Sequence, residues 1–135
     1  MDDAIERIYQ ALTRRELDDA DLSARRIASF LEKTTGAVYH RWASIDALLF
    51  EVSQCGFVDL GARLSAAWSR ARSLADCAQV YVEFGLDNPE LYPLMFERRF
   101  DWAALRAGGA FEKTTPGSGL LAGVVALLSA AGATQ

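Results

Sequence analysis

A chain of 135 residues, 51% of them apolar, is long enough for one cored domain or for two small helical modules sharing a core. Its net charge of −4 exerts no global pull on nucleic acid, so a nucleic-acid site here must gather its cations locally. Two distant cysteines and a single histidine, His40, exclude a disulfide framework and a zinc site, and Cys55 and Cys77 read as buried thiols of a reducing cytoplasm.

The pattern is that of an all-α protein, with scattered β-branched residues, no alternation, and Ala, Leu, Arg and Glu dominant. A first helix is predicted over 3–16, with Ile5, Ile8 (or Tyr9) and Leu12 as its buried stripe, stopped by the Asp18-Asp19-Ala20-Asp21 loop. Ser23 then suits an N-cap, and Ile27, Ala28 and Leu31 give a short helix one apolar face. Thr34 or Thr35 can cap a second short helix, with Val38 and Trp42 on one side and Tyr39, His40 and Arg41 on the other. Two short helices joined by a tight turn cannot bury their own apolar faces. Flanking helices must do so, which leaves the second helix free to lie in a DNA major groove.

A long helix is predicted over 45–70 after the cap-like Ser44, with Leu48, Leu49, Val52, Phe57, Leu60, Leu64 and Trp68 inward. Gly56 and Gly61 weaken it, each by about 1 kcal/mol relative to Ala, and permit close approach or a bend. Another helix follows over 74–86. Asn88-Pro89 ends it and starts the next, which runs past Pro93 through Trp102 to Leu105. A Gly-rich loop over 107–119 and a final helix over 118–131 complete the chain. The apolar run 120–131 is too short, and too rich in Ala and Gly, to span a bilayer, and no signal peptide is visible after the charged Asp2. The expected location is cytoplasmic.

The segment 22–49 resembles the DNA-binding domain of the TetR family of bacterial transcriptional regulators. Ser23, Ile27, Ala28, Thr34, Gly36, Val38, Tyr39, Trp42 and Leu48 match that family's pattern in kind and spacing. A second stretch, YVEFGLDNPELYPLMF over 81–96, is similar to the ligand-domain segment of one large subgroup. The resemblance implies a three-helix DNA-binding domain over 1–46, containing the helix-turn-helix, and a shortened helical ligand-binding and dimerisation domain over 47–135. It implies a regulator, most simply a ligand-released repressor that binds double-stranded operator DNA as a dimer. Two copies are needed because the half-sites lie about 34 Å apart.

On the same resemblance, Ser23, Arg25, Arg26, Thr34, Thr35, Gly36, Ala37, Tyr39, His40 and Arg41 are the residues expected at the DNA. The effector would be a small apolar or aromatic molecule among Phe57, Trp68, Tyr81, Phe84, Tyr92, Phe96 and Trp102, with Tyr81, Tyr92 or Arg98 as its polar contacts. No cofactor, metal or membrane is implied.

Several positions depart from the family. Glu32-Lys33 replaces the Gly-Val of the turn, where a left-handed non-Gly residue costs on the order of 1 kcal/mol. Ile45 replaces a phosphate-contacting Lys and is expected to expose an apolar side chain, while Arg41 can recover part of that contact. No basic arm precedes the first helix, and the first fifty residues hold slightly more acids than bases. Family members extend further and dimerise through two additional helices, so pairing by another route, or with another protein, is expected. These departures fit an alternative: a TetR-fold accessory subunit that has lost DNA binding and holds a small molecule or a partner. An enzyme is disfavoured by the lone histidine, the absence of a Gly-rich phosphate loop, and the lack of a distinctive carboxylate pair.

Overall fold

The computed structural model describes residues 3–108, and all regular structure among them is helical. Most of the expected loop over 107–119 and the whole expected helix over 118–131 lie outside the described residues. Helix α1 (Asp3–Thr13) buries Ala4, Ile5, Ile8, Tyr9, Ala11 and Leu12. It stops short of the expected Glu16 because Arg15 turns left-handed, with φ 61°. The N–H groups of Arg15 and Glu16 then donate back to the carbonyls of Leu12 and Ala11, the Schellman closure. This reversal also drops Leu17 into the core.

A 3-10 turn, Asp19–Asp21, leads to α2 (Ala24–Phe30), whose first turn is capped by Ser23 Oγ accepting from the Arg26 N–H at 3.1 Å. The α2 terminus repeats the Schellman closure. Glu32 takes the left-handed conformation at φ 58°, its N–H donates to the Ser29 carbonyl, and the Lys33 N–H donates to the Ala28 carbonyl. Thr34 then caps α3 (Thr35–Arg41), its Oγ1 accepting from the Ala37 N–H at 3.0 Å.

Helix α4 (Ile45–Ala71) is capped by Ser44 and packs against α1, α5 and α6. Leu48, Leu49, Val52, Leu60 and Leu64 are buried along it, while Phe57 and Trp68 flank that face half-buried. Gly56 meets Met95, and a Cβ there would collide with its Sδ, so glycine is what lets the short helix that carries Met95 close down on α4. After α5 (Leu74–Asp87), Asn88 does not cap the next helix with its side chain as the sequence suggests. Its carboxamide donates back to the Phe84 carbonyl at 2.9 Å and closes α5, while its backbone carbonyl accepts from the Tyr92 N–H.

Helix α6 (Leu91–Phe96) does not run on to Leu105. The N–H groups of Glu97 and Arg98 both turn onto the Pro93 carbonyl, the chain straightens, and Asp101 caps a separate α7 (Trp102–Ala107). One cluster of buried residues runs from Ala4 to Leu105, with Ile8, Leu12, Ile27, Leu48, Leu60 and Phe84 at its centre. Residue 46, where the two expected domains meet, lies in the first turn of α4. Among the described residues no helix is long and apolar enough to cross a membrane.

Candidate functional site

Helix α3 is held by very little of its own surface. Val38 is its one buried residue, and Trp42, just past its end, is the second anchor. The Trp42 indole N–H donates to Glu51 of α4, which fixes the angle at which α3 leaves the bundle. Thr35, Gly36, Ala37, Tyr39, His40 and Arg41 are all exposed, Tyr39 by 48%. Tyr39 shares its exposure with Val58, Val82, Leu86, Phe96 and Trp102 elsewhere on the chain, so what sets α3 apart is the run of exposed residues around it. Among the described residues nothing crowds Gly36. Its φ is helical, and an added Cβ would meet only Thr34 Oγ1, at 3.8 Å.

The segment 23–41 carries Arg25, Arg26, Lys33 and Arg41 against the single carboxylate of Glu32, so this part of a net-negative chain is locally positive. Two of these cations have partners. Arg26 lies 3.4 Å from Asp21, and the Arg41 guanidinium sits 4.8 Å above the Trp42 ring. Ile45 does not project into solvent as the sequence suggested; it is half-buried and packs against the core beside Ala47. Its apolar side chain there serves the fold.

The seven aromatics expected around a ligand do not all meet. Phe57, Tyr81, Tyr92 and Phe96 form one edge-contacting group contributed by α4, α5 and α6, with ring centroids 4.8 to 6.2 Å apart. The Tyr81 and Tyr92 hydroxyls are 2.9 Å apart, and this bond together with burial pushes the Tyr81 phenol up to about 12. Gly85 gives the Tyr92 ring room against α5. Phe84 is instead a fully buried core residue, Trp68 lies beside Arg72 at the far end of α4, and Trp102 contacts Phe50 and Phe100. Phe50 was not legible as part of an aromatic group, because its partners lie about fifty residues away in sequence.

Arg98, expected as a polar ligand contact, is otherwise engaged. Its Nη2 lies 3.1 Å from Asp46 Oδ1, its guanidinium stands over Phe100, and Asp46 Oδ2 accepts from the Asp101 N–H. At the other end of α6, Glu90 accepts from the Asp19 N–H at 2.5 Å. Burial raises the Asp19 carboxyl pKa against the lowering effect of Arg98. The α6 segment is thus tied to the chain just before α2 and just after α3. Neither tie could be read from the sequence, since Asp46 alone looks like an ordinary first-turn acid.

On the α1 side, the Tyr9 hydroxyl donates to Asp59, which also pairs with Arg63. Burial and the adjacent carboxylate hold the Tyr9 phenol far above its ordinary pKa. Among the described residues no group of three or more His, Cys, Asp or Glu is placed to hold a metal ion. Comparison with known protein families and with curated proteins finds no match to this chain.

Proposed function

We propose that the chain is a TetR-like transcriptional regulator, in which α2, the Leu31–Thr34 turn and α3 act as a helix-turn-helix and α3 enters the major groove of an operator duplex. The observation that carries this reading is the presentation of α3, with six of its seven residues outward within the locally cationic segment 23–41. Thr34, Thr35, Gly36, Ala37, Tyr39 and His40 meet the duplex, while Ser23, Arg25, Arg26 and Arg41 lie toward its backbone. Phosphate contacts position such a helix and base-edge contacts give it a sequence. The regulator works as a dimer, and a small apolar or aromatic effector acts at the Phe57, Tyr81, Tyr92 and Phe96 group. Because α6 carries two of those rings and is tied to Asp19 and Asp46, an effector that shifts α6 changes how the two α3 helices are spaced.

The experiment is a gel-shift selection from a random duplex pool at low salt. Retention of related sequences, lost progressively as salt rises, supports the reading; absence of any retained duplex at low salt overturns it.

Two observations favour the alternative of an accessory subunit without DNA binding. The exposed Glu32 carboxylate stands at the α2–α3 turn, and Arg26 is already paired with Asp21, both of which weaken attraction to phosphate. A stable complex with another protein, combined with no duplex binding, would decide for that reading.

A further inference from the structure

We infer that α3 reads the duplex chiefly through thymine methyl groups at A·T pairs, and not through a bidentate arginine or lysine pair with guanine. This rests on the DNA-binding reading above and specifies the chemistry of the same surface. Guanine is usually read in the major groove by Arg or Lys and adenine by Asn or Gln, each with two parallel hydrogen bonds. Helix α3 contains no Lys, Asn or Gln, and its one Arg, Arg41, is its last residue and stacks on the Trp42 ring. What α3 turns outward is instead the Ala37 methyl, the Thr35 methyl and hydroxyl, and the Tyr39 and His40 rings, around the bare Gly36. Ala and Thr methyls are partners for the 5-methyl of thymine.

Gly36 is an independent support. Space for a Cβ is open and the backbone is helical, so nothing within the described chain selects glycine over a better helix former. Close approach of α3 to the groove floor does select it, and methyl-to-methyl contact needs that approach because it acts only over van der Waals distance. Hydrogen bonds from Tyr39 and His40 to adjacent base edges or phosphates then fix the register.

The test uses the full chain and a duplex recovered from a random pool. Each thymine of the recovered site is replaced in turn by deoxyuridine, which removes the 5-methyl and nothing else. Affinity should fall about fourfold at one or two A·T pairs per half-site, the loss of one buried methyl-sized contact. Ala37→Gly should abolish the difference between thymine and deoxyuridine at one of those pairs. Retained binding with no effect of deoxyuridine at any position, or recovered sites dominated by guanine and weakened by Arg41→Ala, overturns the thymine reading while leaving DNA binding intact. Failure to recover any duplex overturns both.

Discussion

The Arg98 guanidinium reaches Asp46 across 52 residues of sequence and pairs with it at 3.1 Å, joining the loop after α6 to the first turn of α4. The two side chains are 26% and 19% exposed, between the regimes of a surface pair and a buried one. Removing one partner from a buried pair costs several kcal/mol, and an exposed pair contributes less than about 1 kcal/mol. Arg98→Met, which keeps the packing against Phe100, is expected to destabilise the fold by about 2 kcal/mol in urea unfolding. A double variant with Asp46→Asn should recover part of that loss, because the second change removes the carboxylate left behind. Full additivity of the two single losses would show that the pair contributes nothing as a pair.

Three helices end at left-handed residues that are not glycine: Arg15, Glu32 and Arg72. At Glu32 the exchange to glycine relieves about 1 kcal/mol of conformational cost and also removes the carboxylate of the turn that leads into the presented helix. Glu32→Gly is therefore expected to raise the unfolding free energy by about 1 kcal/mol and to tighten duplex binding at low salt. Glu32→Ala separates the two effects. It loses the charge but keeps the strain, so it should improve binding without the gain in stability.

Gly36 provides the opposite separation. Gly36→Ala adds a methyl that meets nothing closer than Thr34 Oγ1, and it favours the helix by up to about 1 kcal/mol. Thermal unfolding should show an unchanged or slightly raised midpoint, while duplex affinity falls as the helix is held off the groove. Equal affinity for the glycine and alanine forms would remove the case for close approach.

The paired Tyr81 and Tyr92 hydroxyls predict an alkaline signature. The Tyr81 phenol moves from 10.0 to about 12 in the folded chain, so between those values the unfolded state releases a proton that the folded state retains. Its contribution to stability is present below pH 10 and is lost as pH rises toward 12. Absorbance titration should therefore show a high tyrosinate step that moves back toward the ordinary value in Tyr92→Phe. An unmoved step would mean that the hydroxyl bond does not govern Tyr81.

How much of this was legible in the sequence follows from the range of the forces involved. The first five helices, to within a few residues at their ends, the Ser23, Thr34 and Ser44 caps, and most of the buried positions expected on α1 and α4 are local or periodic, and the structure has them where composition and spacing put them. The left-handed Glu32 was likewise readable from its place in the turn. The break after Phe96 was not, because it depends on Asp101 and Arg98 both finding Asp46 on another helix. For the same reason the seven aromatics looked alike in sequence. Only packing separates the group around Tyr81 from the core residue Phe84 and from Trp102, which lies beside Phe50.

On the proposed function, α3 and the cations beside it meet the backbone and bases of duplex DNA. The most direct test is the slope of log affinity against log salt for one recovered duplex, measured for the unaltered chain and for Arg25→Gln and Lys33→Gln. A side chain that contacts phosphate should lower the magnitude of that slope by about 1 when neutralised, with sequence preference retained. That loss is expected for at least one of the two, together with loss of sequence preference in Tyr39→Ala. Affinity that is independent of salt, or slopes and preferences unchanged in all three variants, would contradict it.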